Sequence, residues 1–186
     1  INENNISGIH LEPNSQRYYP YGRLAAQVIG CTNASNTGSE GVEASYDSYL
    51  KGTAGRVITT KGNNEMDMPY SYENYISSQQ GCSLILTLDT TVQACLEKQM
   101  EAAIARYDVQ NGAFGIVMNV KTGEILAMAT LGSYDPNAYL EIADADTAAE
   151  LELLKQTQSN EDYQKVLTEA RLKQWRNRVL SDGYEP

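Results

Sequence analysis

The stretch Gly112–Asn137, G-A-F-G-I-V-M-N-V-K-T-G-E-I-L-A-M-A-T-L-G-S-Y-D-P-N, decides how the rest of the chain is read. Two runs rich in apolar and β-branched residues, Phe114–Val120 and Glu124–Thr130, flank Lys121-Thr122-Gly123. A tight turn at that place needs a residue at positive φ, which Gly123 supplies, so the pattern predicts a hairpin of two buried strands. Ser133-Tyr134-Asp135-Pro136-Asn137 then crowds turn formers together and predicts a sharp exit loop.

Upstream of the hairpin, Leu84, Leu86 and Leu88 alternate, predicting a strand over Ser83–Leu88. Asp89 is a favourable N-cap for a helix in which Val92, Cys95, Leu96, Met100, Ala103, Ile104 and Tyr107 recur three and four residues apart. Strand, capped helix and hairpin together make an α+β unit with one helix across a sheet. Downstream, Glu141, Asp144, Asp146, Glu150 and Glu152 read as a solvated helix face, because no D-x-D-x-D-G calcium loop accompanies them. Ser159–Leu180 is predicted as a helix, with Glu161 and Asp162 in its first turn and Arg176 and Arg178 in its last. Tyr163, Val166, Leu167, Ala170 and Trp175 would form its buried side.

The amino-terminal part is more broken. Ile9-His10-Leu11-Glu12 alternates as a strand, and Leu24–Ile29 suggests a short helix stopped by Gly30. Residues 31–40 read as a solvated loop. Residues 41–50 predict a short amphipathic helix with Val42, Tyr46, Tyr49 and Leu50 on one side. Gly52 and Gly55 then turn the chain into a strand at Arg56–Thr59, and residues 60–82 read as a polar loop with one edge strand at most.

Composition narrows the function. The 186 residues are 41% hydrophobic and 20% charged, ordinary for a globular protein, and the formal net charge is −10. Such an acidic chain lacks the basic footprint of a nucleic-acid binder and is repelled by anionic lipid headgroups. No run of 18 or more apolar residues appears, so the chain as given is expected to be soluble. Cys31, Cys82 and Cys95 form no C-x-x-C pair, and His10 is the lone histidine. A disulfide framework, a zinc site and a Ser-His-Asp triad are therefore not expected. Three short matches invite a serine acyl-transfer reading: Ser48-Tyr49-Leu50-Lys51, Ser181-Asp182-Gly183 and Lys121-Thr122-Gly123. That chemistry needs a serine, a base and an oxyanion pocket together. Here the first match lies in a helix of the amino-terminal part, the second at a helix end without the Asn, and the third in the hairpin turn.

Motifs in order along the chain resemble those of class B penicillin-binding proteins, the extracytoplasmic enzymes that cross-link peptidoglycan. Arg17, Tyr19, Pro20, Gly22, Leu24, Ala25 and Gly30 match the pedestal pattern R-x-Y-P-x-G-x-L-A, closed by Gly. Residues 41–55 are similar to G-[IL]-E-x-x-Y-D-x-x-L-x-G-x-x-G, and Leu86–Asp89 with Val92-Gln93 fits L-T-[IL]-D-x-x-[LV]-Q. The hairpin resembles the one that opens the transpeptidase domain, with Gly132 where Pro is usual. Trp175–Pro186, W-R-N-R-V-L-S-D-G-Y-E-P, is similar to the run that leads into the catalytic G-S-x-x-K segment.

The resemblance implies an α+β fold with the later part of the pedestal, or dimerisation, domain at residues 1–82 and the leading part of the transpeptidase domain at 83–186. It implies a membrane-anchored parent on the outer face of a bacterial membrane, cross-linking stem peptides through an acyl-serine and inhibited by β-lactams. Cell-wall synthesis proteins would meet the pedestal. The membrane anchor and the catalytic serine would lie outside these residues, so the chain alone is expected to be inactive. No catalytic residue, metal ligand or cofactor-binding residue is assigned. The alternative is a non-enzymatic interaction module of the wall-synthesis machinery, and a further rival is a hydrolase using Ser48 and Lys51.

Overall fold

A computed structural model describes residues 16–58, 74–109, 112–157 and 159–183. The strand expected at residues 9–12 lies outside them. Helices α1 (Ala26–Ile29), α2 (Gly41–Ser45) and α3 (Asp47–Leu50) come first. Strands β1 (Arg56–Ile58) and β2 (Asn74–Ile76) follow, then α4 (Thr90–Tyr107), β3 (Phe114–Met118) and β4 (Ile125–Thr130). Helices α5 (Ala145–Thr157), α6 (Asn160–Trp175) and α7 (Arg178–Ser181) complete an α+β architecture.

The organising hairpin is present. Strands β3 and β4 pair antiparallel with Phe114 opposite Thr130 and Ile116 opposite Met128, and the register shifts by one at Val117/Met118. Gly123 stands at φ 79° in the turn. The helix predicted from the Asp89 cap also forms, with Asp89 Oδ1 accepting from the Thr91 and Val92 amides at 2.8 and 3.0 Å. It lies over the face carrying Gly115 and Val117. A Cβ on Gly115 would stand 3.3 Å from Leu96 Cδ1 and 3.4 Å from Met100 Sδ, so glycine lets the helix sit close. Opposite Gly115, Ala129 is buried, and Ala127 beside it is 0% exposed.

Several expectations need correction. Only β4 is buried. On β3, Phe114, Ile116 and Met118 are half-exposed, because the two-stranded sheet is covered more fully on its α4 side than on the face these residues line. The same narrow sheet covers only the i, i+4 row of α4. Val92, Leu96, Met100 and Ile104 are partly buried, whereas Cys95, Ala103 and Tyr107 are exposed. Residues 83–88 form no strand, and Ile85 is almost fully exposed; among the described residues the segment meets β4 only at its end, where the Thr87 side chain rather than a backbone ladder makes the bond. The helix expected over residues 41–50 breaks at Tyr46, whose φ of −115° is not helical; Tyr46 and Tyr49 are exposed while Glu43 is buried.

The long carboxy-terminal helix ends at Trp175 rather than Leu180. Arg176 turns extended at ψ 125°, and Asn177 caps a new turn by accepting from the Val179 amide at 3.1 Å. Arg176 is the C-cap of α6 and Arg178 opens α7, so neither lies in the last turn of one long helix as expected; both grip Asp182, Arg178 Nε at 3.1 Å. The acidic residues of the 141–152 stretch are exposed as expected, and Asp144 caps α5 through the Thr147 hydroxyl and amide at 2.6 and 2.9 Å.

Candidate functional site

The outer edge of β4 is closed without a strand. Gln93 lies one turn into α4, where the helix crosses that edge, and is 1% exposed. Its amide copies a strand residue: Nε2 donates to the Met128 carbonyl at 2.9 Å and Oε1 accepts from the Met128 amide at 2.8 Å. The Asp89 amide donates to the Leu126 carbonyl at 2.8 Å, and the Thr87 hydroxyl donates to the Ile125 carbonyl at 2.7 Å. Residues 87–93 thus satisfy the backbone groups that a neighbouring strand would otherwise take.

From this edge a polar join runs to the amino-terminal segment. Gln93 Nε2 also donates to Glu97 Oε1 at 2.7 Å, and the same oxygen accepts the Ala25 amide at 2.9 Å. Ala25 has φ 53°, a left-handed conformation that costs a non-glycine residue about 1–2 kcal/mol and persists because it is tied down. At the hairpin exit, Asn137 pairs with both backbone groups of Tyr19, accepting from its amide at 3.0 Å and donating to its carbonyl at 2.9 Å. The Ser133 hydroxyl donates to the Arg23 carbonyl at 2.7 Å. Gln27 Nε2 reaches the Gly132 and Gln174 carbonyls at 3.3 and 3.5 Å, joining α1, the exit loop and the end of α6.

Beneath the join, Ala26, Cys31 and Tyr134 form the buried cluster, with Tyr139, Ala143 and Trp175 packed against it. Trp175 is a core anchor whose Nε1 donates to the Tyr139 carbonyl at 3.0 Å. Desolvation pushes the Cys31 thiol and the Tyr134 phenol above their ordinary ionisation ranges. Glu40 and Glu43 nearby add to the shift of the thiol. Both groups stay protonated at neutral pH, so neither is an activated nucleophile. Glu43 is buried and meets Arg17 Nε at 2.7 Å. An open groove of about 620 Å³ borders this region, lined by Val42, Met128, Leu172 and Trp175 among others.

The three serine-enzyme look-alikes are not brought together. Ser48 is exposed on α3, and the Lys51 amine donates to Thr37 Oγ1 at 2.8 Å. Lys121-Thr122-Gly123 is the exposed hairpin turn. Asp182 is held by Arg176 and Arg178 after α7. Among the described residues no group of three or more His, Cys, Asp or Glu is placed to hold a metal ion. The arrangement binds backbone to backbone through side-chain amides and carboxylates.

Several of those joining residues, among them Tyr19, Ala25, Gln93, Ser133 and Asn137, stand in the sequence motifs. Residues 1–86 match the family model of the penicillin-binding protein dimerisation domain, and residues 113–186 match that of the penicillin-binding protein transpeptidase domain. The chain belongs to the penicillin-binding protein family. It is 38% identical over 132 residues to the peptidoglycan D,D-transpeptidase FtsI of Buchnera aphidicola, covering 71% of this chain and 23% of that protein. It is 33% identical over 137 residues to stage V sporulation protein D of Bacillus subtilis, covering 74% of this chain and 21% of that protein. Penicillin-binding protein 3 of Mycobacterium tuberculosis aligns in structure at a TM-score of 0.52 and 32% identity, over 65% of this chain and 23% of that one. The chain spans less than a quarter of the length of these relatives.

Within the penicillin-binding protein family pattern, Gly132 departs further than its sequence suggests. Its φ is +93°, a value the proline ring forbids, so this loop conformation could not be kept with proline at position 132. Sequence reading placed Gln93 in a motif without seeing its role. A glutamine between Val92 and Ala94-Cys95 near the start of a capped helix is the signal that could have pointed to it.

Proposed function

We propose that this chain is the scaffold portion of a class B penicillin-binding protein, a peptidoglycan D,D-transpeptidase. Pedestal sequence runs through Cys82 and transpeptidase sequence begins at Ser83. The parent attacks the D-Ala-D-Ala end of a stem peptide through an acyl-serine, and β-lactams acylate the same serine. It works on the outer face of a bacterial membrane, tethered by an anchor outside these residues, and meets other wall-synthesis proteins through its pedestal. The observation that carries the reading is the pairing of motif with motif: Arg17 with Glu43, Tyr19 with Asn137 and Gln93 with Met128. Motifs scattered over 120 residues hold one another in place, as expected of a scaffold built to present a site.

Lys51, in the Ser48–Lys51 match, donates to Thr37 rather than to Ser48, and on this proposal the isolated chain is inactive. Incubation with a fluorescent penicillin, followed by gel fluorescence and intact mass, is expected to yield no adduct. An adduct that disappears in Ser48→Ala would overturn this and favour the Ser48–Lys51 rival. Reading the coding sequence beyond Pro186 tests the parent: Gly-Ser-x-x-Lys in frame supports a transpeptidase, and a stop codon there supports a non-enzymatic module.

A further inference from the structure

The amino-terminal segment and the β1–β2 arm are held in different ways. Residues 16–51 meet the hairpin body through side chain-to-backbone bonds from Asn137, Glu97, Ser133 and Gln27, which span separations of 72 to 147 residues. Parting them would expose Ala26, Cys31 and Tyr134, each 0% exposed. It would also strip the partners from the strained Ala25 amide and from the Tyr19 backbone. Among the described residues the β1–β2 ladder, by contrast, has three residue pairs, with one further bridge between Thr53 and Gln79. Residues 53–56 and 76–80 flanking it are exposed.

We infer that residues 16–51 are a fixed brace that opens only together with the hairpin and the end of α6, while the β1–β2 arm beyond Gly52 opens on its own. The physical hinge therefore lies about thirty residues before Ser83, the proposed start of the transpeptidase portion. A displacement imposed on the brace is passed through Gln27 to the Gln174 carbonyl, and so to the Arg176–Asp182 segment. The brace is a property of this chain's own residues and stands whether or not the parent is a transpeptidase.

Native-state hydrogen exchange across a denaturant series tests it on the whole chain. The amides of Tyr19, Ala25 and Gly30 in the brace are expected to merge with those of Met128 and Arg176 on one isotherm. The Thr53 and Gln79 amides are expected to exchange at least tenfold faster. Asn137→Ala, which removes both bonds to Tyr19, is expected to lower protection at Ala25, Gly30 and Met128 by the same factor, roughly 30-fold. Separate isotherms for brace and body overturn the inference, as does an Asn137→Ala loss confined to residues 19–32 or an arm that merges with the body. Should Asn137→Ala fail to fold, the isotherms of the unaltered chain decide.

Discussion

Replacing Gln93 by leucine keeps most of the side-chain volume and removes its polar end, so it isolates the strand-like pairing with Met128. Gln93 is 1% exposed and Met128 6%, so water does not replace the lost bonds. The Met128 amide and carbonyl, now bonded at 2.8 and 2.9 Å, are both left buried and unpartnered. Each such orphan costs about 1–3 kcal/mol, giving roughly 3–4 kcal/mol for the pair. That is a large share of the 5–15 kcal/mol that holds a typical domain together. With a urea slope of about 2 kcal/mol/M, the midpoint should fall by roughly 1.5–2 M. Trp175, the lone tryptophan, reports unfolding by fluorescence from a part of the chain remote in sequence from the substitution. Gln93→Glu keeps an acceptor for the Met128 amide but loses the donor and sets a second carboxylate beside Glu97. It should be destabilised at least as much at neutral pH and recover in part in acid. A midpoint shift under about 0.5 M for Gln93→Leu would refute the strand-mimic account.

Cys31 is buried while Cys82 and Cys95 are exposed, so alkylation of the native chain should modify two thiols and reach the third only with denaturant, as counted by intact mass. Alkali should unfold the chain. The Cys31 thiol and Tyr134 phenol ionise near 9.0 and 10.0 when exposed, and burial raises both in the fold. Their contribution is fully present below those unfolded values and is lost as pH rises toward the folded ones, so the urea midpoint should drop steadily above about pH 9. Tyr19, raised chiefly by burial, adds to the same trend. At Gly132 nothing lies within 4 Å of an added Cβ, so Gly132→Ala should cost only the left-handed strain, about 1–2 kcal/mol. Gly132→Pro should cost more, because the loop must leave φ +93° altogether; equal urea midpoints for the two variants would contradict that conformation.

The fold was legible where local chemistry and burial agreed. The Asp89 cap, the Gly123 turn and the Gly30 stop are set by groups within a few residues of each other, and all are in place. Legibility failed where a neighbour outside the window decides. Leu84, Ile85 and Leu86 carry a strand's alternation, but a strand needs a partner to bond. Cys95 carries the apolar stripe's spacing, but the sheet beneath is too narrow to cover it. The break after Trp175 turns on Asn177 and on the grip of two arginines on Asp182, interactions that helical periodicity does not encode. The join itself was half visible: Tyr19, Ala25, Gln93 and Asn137 stood in the motifs, whereas Gln27, Glu97 and Gln174 did not, and the bonding among them needed three dimensions.

The bonds that seat the amino-terminal segment have a consequence for the order in which the chain assembles as it emerges, amino terminus first. The partner of Ala25 is made 72 residues later, that of Tyr19 118 residues later, and Gln27 waits 147 residues for the Gln174 carbonyl. Contacts over such separations close late, because the loop must be ordered before they repay it. Helix α4 and the hairpin, 35 residues apart at Gln93 and Met128, are free to assemble well before that. Throughout that interval Ala26 and Cys31 travel uncovered, so the emerging segment carries exposed apolar surface until the end of α6 arrives.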